Sequence, residues 1–194
     1  SVYKSAVANP PSIGYNKPIA KIHVQKEYIM WYAILGAVLL AGDQILKYWV
    51  VTHLAVGESA PFLPGFMQLT RLHNYGAAWS SLSGRTVLLV VFTAVLLAAV
   101  ALLLIKKVVR HWTGITACTL ILSGGIGNII DRIVHGYVVD MFDLQLFSYP
   151  VFNLADCCVV VGAILGGIYY LFLYEKYDKK KKEPDHAHDP SDPS

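Results

Sequence analysis

With 194 residues, 55% of them hydrophobic, 15% charged and a mean hydropathy of +0.49, the chain carries too little polar surface for an ordinary soluble domain. The net charge of +3 is gathered in blocks beside apolar runs. That pattern reads as topology anchors, including the Lys179–Lys182 run, and not as a nucleic-acid surface. The three cysteines, Cys118, Cys157 and Cys158, all fall in apolar segments, which argues for buried thiols and against a disulfide framework.

Residues 1–26 contain Pro10, Pro11 and Pro18 and no long apolar run, and read as a cytoplasmic arm. The first apolar run, Tyr28 to Val51, carries Asp43 and Lys47 near its far end. It is too long for a signal-peptide core of about 7–15 residues and lacks a small-x-small cleavage site, so it is expected to be a retained span. About 35 residues follow, His53 to Thr86, with Pro61, Pro64 and Gly65 ahead of the strand-like run Phe66–Leu72. A connection of that length predicts a small extracytoplasmic β-rich platform resting on the membrane surface. Val87–Ile105 and Trp112–Ile130 are each nineteen residues without a charge. Between Asp131 and Phe152 lies a second, shorter outer segment holding Tyr137-Val138-Val139-Asp140. The last run, Val151 to Tyr174, carries one charge, Asp156. A spanning helix needs about 20 apolar residues, so the prediction is an all-α membrane protein of four transmembrane helices, with the platform between helices 1 and 2. The division expected is an arm over 1–26, a membrane domain over 27–175 and a basic, then disordered, tail over 176–194. His186 and His188 in that tail read as solvated, and no metal or cofactor is expected.

Lys4, Lys17, Lys21 and Lys26 precede the first span, Lys106, Lys107 and Arg110 separate the second from the third, and Lys176 and Lys179–Lys182 follow the fourth. The other side keeps Arg71, Arg85 and Arg132, with Lys47 at a helix end. The positive-inside rule therefore puts both termini in the cytoplasm.

Ionisable residues inside a membrane segment cost about 2.5–3.5 kcal/mol each on insertion scales. Counting along the helices at 1.5 Å per residue puts Asp43 roughly 25 Å beyond Lys26, Asp131 roughly 31 Å beyond Arg110 and Asp156 roughly 30 Å before Lys176. All three reach one depth, near the outer interface. Asn128, Asp131 and Arg132 share a face of the third helix, and Asn153 and Asp156 share a face of the fourth. Asp43–Lys47 and Asp131–Arg132 read as structural ion pairs. Asp140 and Asp156 have no basic neighbour within four residues. Two such carboxylates facing each other share a proton, so one can activate water while the other polarises a carbonyl and protonates the leaving amine. That is peptide hydrolysis without a metal or a covalent intermediate. Spacing alone does not select Asp140 and Asp156 over Asp131 or Asp143.

Five short blocks narrow the choice. Asp43-Gln44 with Lys47, Asn74-Tyr75-Gly76-Ala77-Ala78-Trp79-Ser80, Gly124-Gly125-Ile126-Gly127-Asn128-Ile129-Ile130-Asp131-Arg132, Val138-Val139-Asp140 and Phe152-Asn153-Leu154-Ala155-Asp156 stand in that order. Together they resemble the lipoprotein signal peptidase (signal peptidase II) family over about residues 28–175. The resemblance implies an aspartyl endopeptidase of the bacterial cytoplasmic membrane with Asp140 and Asp156 as catalytic pair. It implies that Asn74, Asn128, Arg132 and Asn153 support substrate and site geometry, beside Asp43, Lys47 and Asp131. The substrate implied is a diacylglyceryl-modified prolipoprotein cut just before the lipidated Cys, in contact with membrane lipid, and globomycin-type peptides are the implied inhibitors. Met141 departs from the Phe expected after Asp140, and the N-terminal arm is unusually long.

The same acids could serve a proton-coupled transporter as a relay. Carboxylates at one interface and no visible inverted repeat argue against that. A non-catalytic lipid-binding scaffold would tolerate Asp→Asn at both positions, and a Cys157 thiol peptidase would need a histidine that the fourth span lacks.

Overall fold

The computed structural model describes residues 17–76 and 84–179, with backbone alone for 17–28. Most of the arm, the tail beyond Lys179 and Ala77 to Ser80 of the second block lie outside the described residues. The chain divides after Trp31 into two units. Everything that follows belongs to the second, apart from the N-terminal part of the first helix.

Helix α1 (Lys17–His53) begins ahead of the apolar run, with Pro18 in its first turn, where the missing N–H has no intrahelical partner to lose. Helices α2 (Thr86–Ile105), α3 (Trp112–His135) and α4 (Leu154–Ile168) follow. A π-helical stretch, Tyr169–Leu173, carries α4 on into the short α5 (Tyr174–Tyr177). Among the described residues, four segments are long and apolar enough to cross a membrane: Ile29–His53, Thr86–Ile105, Trp112–His135 and Leu154–Tyr177. The expected four-span architecture is the observed one.

Helix α3 is the hub, and its glycines explain why. A Cβ on Gly124 would lie 2.3 Å from the Ala155 carbonyl oxygen of α4, one on Gly125 2.6 Å from Leu97 of α2, and one on Gly127 2.8 Å from an Asp43 carboxylate oxygen of α1. Three glycines within four positions thus admit three different helices to the same turn of α3, the close approach that small residues permit in membranes. Gly162 of α4 makes a similar approach, with a built Cβ 2.9 Å from the Ala117 carbonyl, whereas Gly166 would meet only Ala117 Cβ at 3.8 Å.

The platform is a three-stranded antiparallel sheet, β1 (Ser59–Leu63), β2 (Met67–Asn74) and β3 (Val138–Leu144), in that order. Its third strand comes from the connection between α3 and α4, so the sheet draws on both loops at that end of the bundle. β1 and β2 are joined by Pro64-Gly65-Phe66, with Phe66 N–H donating to Leu63 O at 2.9 Å and Gly65 at φ +75°. Proline at the second position and a positive φ at the third define a type II turn, which requires glycine there. The sheet sits on the end of α1 through a small apolar core of Val50, Leu54, Val139 and Met141. Met141, the departure noted above, is wholly buried in this core.

At the opposite end of the bundle the Asp178 carboxylate accepts from the backbone N–H groups of Arg110 and His111 (both 3.0 Å), from Arg110 Nε (3.1 Å) and from the Tyr169 hydroxyl (2.6 Å). One residue thereby fastens the end of the fourth span to the α2–α3 connection.

Gly124→Ala is expected to destabilise the protein by about 1–3 kcal/mol, because a backbone carbonyl cannot move aside like a side chain. Gly166→Ala should change stability by less than about 0.5 kcal/mol. Thermal unfolding of the two variants in one detergent checks the contrast.

Candidate active site

The site lies where the ends of α1 and α3, the start of α4 and strand β3 meet. Its base is a cluster of buried charge. Lys47 Nζ lies 2.8 Å from Asp43 Oδ2, 2.9 Å from Asp131 Oδ2 and 3.0 Å from Asn128 Oδ1, so each ammonium hydrogen has one acceptor. Gln44 Nε2 donates to Asp43 Oδ2 at 3.2 Å and to Asp131 Oδ1 at 3.1 Å. The remaining carboxylate valences reach backbone donors: Asp43 Oδ1 accepts from Ala155 N–H (2.9 Å) and Asp131 Oδ2 from Val139 N–H (3.1 Å). The cluster therefore holds α1 against the first turn of α4 and α3 against β3. Asp43–Lys47 is the ion pair expected. Asp131 pairs with Lys47 instead of Arg132, whose guanidinium turns to the carbonyls of Gly76 (2.8 Å) and Asn128 (3.3 Å).

Above this base stand Asp140 on β3 and Asp156 in the first turn of α4. Asn153 is not on a face of α4, as the spacing suggested, but is its N-cap in extended conformation. Its Oδ1 accepts from Asp156 N–H (2.8 Å), and Asp156 Oδ2 accepts in return from Asn153 N–H (3.2 Å), a reciprocal capping box. The Asn153 side chain also donates through Nδ2 to Asp140 Oδ1 at 2.7 Å, so one residue touches both carboxylates. Asn74 Nδ2 donates to Asp140 Oδ2 (2.9 Å), and Asn128 Nδ2 donates to Asp156 Oδ1 (2.8 Å).

The three amides are oriented by one device. Each asparagine Oδ1 is occupied by a group that can only donate: Lys47 Nζ on Asn128, Asp156 N–H on Asn153 and Gly76 N–H (2.9 Å) on Asn74. With the oxygen fixed, each NH2 must face the other way, toward the carboxylates. All four carboxylate oxygens thus receive one N–H each, and each keeps a lone pair for a proton or a water.

Asp140 is 1% exposed. Burial first, and the neighbouring Asp156 second, push its pKa up from 3.8 to about 7, against the hydrogen bonds from Asn74 and Asn153 and the charge of Lys47. A carboxyl of that kind exchanges its proton near neutrality, which suits acid–base work.

The sequence-derived set of Asp43, Asn74, Asn128, Asp131, Arg132, Lys47, Asp140, Asn153 and Asp156 converges here. Asp143 does not: its Oδ2 accepts from Gln68 (2.7 Å) and Thr70 (3.1 Å) on the sheet. Gln44 and Gly127 were missed as members. The signal for Gln44 was present, a lone amide beside Asp43 in an apolar helix. Among the described residues no group of three or more His, Cys, Asp or Glu is arranged to hold a metal ion.

Taken together, fold and site define a multi-pass membrane protein with two amide-held carboxylates at one end of its helices. A family model described as signal peptidase (SPase) II matches residues 35–172. The lipoprotein signal peptidase of Enterococcus faecalis is 41% identical over 151 residues, covering 78% of this chain and 93% of that protein. Its counterpart in Lactococcus lactis is 38% identical over 149 residues, 77% and 95% of the two chains. Among solved structures, a bacterial membrane enzyme determined by the in meso method at 2.3 Å superposes with a TM-score of 0.71 at 32% identity, covering 81% of this chain and 96% of that one. A second, at 1.9 Å, gives 0.69 at 33% identity over 75% and 95%. The chain belongs to the signal peptidase II family, and is accordingly a multi-pass bacterial membrane protease.

Two outcomes are expected of this site. Lys47→Met leaves Asp43 and Asp131 facing each other without their cation, and should lower stability by about 3–5 kcal/mol, read from thermal unfolding in detergent. For Asp140, the folded pKa of about 7 lies above the unfolded value near 3.8. The folded protein therefore holds a proton that the unfolded chain has released across that window, so this contribution to stability is full below about pH 4 and lost as pH rises to about 7. The Tm of wild type relative to Asp140→Asn should fall between pH 4 and 7 and level off above. A difference that stays constant would contradict the raised pKa.

Proposed function

We propose that the protein is an aspartyl endopeptidase that removes the signal peptide from diacylglyceryl-modified prolipoproteins, cutting just before the lipidated Cys, with Asp140 and Asp156 as the catalytic pair. The observation that carries this reading is Asn153, whose side chain donates to Asp140 and whose backbone N–H donates to Asp156, linking the two carboxylates through one residue. Close carboxylates in a desolvated site share one proton. The ionised member takes a proton from water as its oxygen attacks the scissile carbonyl carbon. The protonated member donates a hydrogen bond to the carbonyl oxygen, and the departing amine is then protonated by the pair. Asn74, Asn128 and Asn153 keep both acids in place without supplying a second proton, since each presents N–H alone. Arg132 holds the Gly76 carbonyl and so the end of the segment that carries Asn74. Asp43, Lys47 and Asp131 form the base on which Asn128 rests.

The positive-inside bias supports an orientation with both termini in the cytoplasm and the site at the outer interface. A lipidated cysteine presents its neighbouring peptide bond at that level, between acyl chains and water. Membrane lipid is therefore a partner of the reaction, and globomycin-type peptides are expected to inhibit it.

The test is a gel-shift cleavage assay on purified protein in detergent or lipid, with a diacylglyceryl-modified prolipoprotein beside its unlipidated form. Wild type should cleave the lipidated substrate alone. Asp140→Asn and Asp156→Asn should each lose at least about 100-fold in rate, the low end of what general acid–base catalysis supplies, while keeping their fold. A folded variant at either position that cleaves at the wild-type rate would remove it from the catalytic pair, and a folded wild type that cleaves neither substrate would overturn the reading.

A further inference from the structure

Tyr137 stands at the joint between α3 and β3, and its ring meets three others. The His73 ring of β2 stacks on it with centroids 3.8 Å apart and planes 17° apart, His135 of α3 lies at 5.7 Å and 28°, and Tyr75 at 5.5 Å and 59°. His73 and Tyr75 also meet edge to face at 6.5 Å. His73, Asn74 and Tyr75 are consecutive, so the residues on both sides of Asn74 close on the same ring.

Both ends of this cluster are tied down. Arg71 Nη1 donates to the carbonyls of Val51 (3.0 Å) and Leu54 (2.9 Å) at the end of α1, and its Nη2 lies 3.4 Å from His73 Nε2. A guanidinium can only donate, so Nε2 accepts and the imidazole is neutral, with its hydrogen on Nδ1. Burial first, then the charges of Arg71 and His135, hold the His73 pKa below its ordinary value, which keeps the ring an acceptor. At the other end Gly136, left-handed at φ 81°, donates its N–H to the Arg132 carbonyl (3.1 Å) and accepts from Thr86 Oγ1 of α2 (3.1 Å). The rings thus bridge the end of α1 to the end of α3 across the last residues of β2.

Asn74 is the final residue of β2, paired with Val138, and element ends are where local opening costs least. Successive side chains on a strand point to opposite faces, so Asn74 turns to Asp140 while His73 turns to Tyr137. A small slide of the strand end would spoil the 2.9 Å bond from Asn74 Nδ2 to Asp140 Oδ2, since hydrogen bonds depend steeply on geometry. We propose that Tyr137 is a positioning residue: held by His73 and Tyr75 on either side of Asn74, it fixes the end of β2 against β3 and so sets the hydrogen bond from Asn74 to Asp140. This deepens the catalytic reading and rests on it for the cleavage measurement below; the stability measurement stands without it.

Tyr137→Leu keeps apolar bulk beside the platform core but offers no flat face, and Tyr137→Phe keeps the ring. With lipidated prolipoprotein at varied concentration, Tyr137→Leu should lower kcat about tenfold, the scale of a slight misplacement of a reacting group, with KM unchanged. Tyr137→Phe should restore the wild-type rate. In an Asn74→Ala background, Tyr137→Leu should cost no more than about twofold further, because its effect passes through Asn74. An undiminished loss in that background, or a loss confined to KM, would overturn the proposal. The second measurement needs no cleavage, so it decides the matter even if wild type cleaves neither substrate. The Asn74 bond lowers the Asp140 pKa, and losing it raises that pKa further. The Tm difference between Tyr137→Leu and its double variant with Asp140→Asn should therefore go on falling past about pH 7, as it should for Asn74→Ala. A fall that ends where the wild-type one does would count against Tyr137. Should Tyr137→Leu not fold, Tyr75→Ala, at a ring that is half exposed, takes its place in both measurements under the same criteria.

Discussion

One buried ammonium group organises the end of this protein where the carboxylates gather. Lys47 sits in a helix that approaches α3 through small residues and long polar side chains, in a solvent where apolar surface gives helices little reason to prefer each other over lipid. What holds α1 in register is three acceptors arranged around one cation, two of them on α3. A buried ion cluster is weak evidence of net stability, because desolvation offsets much of the attraction. Its value here is specificity. A slip of α1 by one residue would strand a cation and two anions in low dielectric, so one register is far better than its neighbours.

The same ammonium decides the polarity of the site above it. Because Lys47 can only donate, Asn128 must offer it oxygen and turn its NH2 to Asp156. Backbone N–H groups impose the same choice on Asn153 and Asn74. Asparagine is ambivalent by itself, donor on one arm and acceptor on the other. Placed against donors of fixed sign, three of them become a uniformly donating surround for two acids. Burial and mutual repulsion work the other way on Asp140. The balance between a donating shell that favours charge and a dry, crowded setting that opposes it leaves a carboxyl poised near neutrality.

Much of this was legible in the sequence. The four spans followed from run length, and the common depth of Asp43, Asp131 and Asp156 followed from counting residues along helices. The platform was visible as a connection too long for a turn, with Pro61, Pro64 and Gly65 ahead of a strand-like run. The third strand's place in the same sheet was harder to see, because pairing between Asn74 and Val138 joins segments separated by two whole spans. Local pattern carries no record of such pairings. Arg132 was paired with Asp131 on adjacency, yet consecutive residues on a helix point about 100° apart, and the better partner for Asp131 came from another helix. Asn153 was assigned to a helix face because i, i+3 spacing cannot distinguish a helical turn from an N-cap and its N3 residue, which share that spacing. Gly127 was passed over for a related reason: its importance lies in the Asp43 carboxylate that approaches it from α1, which only assembly reveals.

The pairing of Asp43 with Lys47 one turn later has a consequence for biogenesis. A chain entering the membrane from its N-terminus delivers α1 before α3 exists, so the acceptors Asp131 and Asn128 are not yet made when Lys47 must leave water. Asp43 travels on the same helix and already lies within contact distance of the ammonium. The segment can therefore partition as a neutral unit, and the later arrival of α3 exchanges a provisional arrangement for the final one. A lysine whose partners all lay on later helices would have presented the insertion machinery with a bare charge.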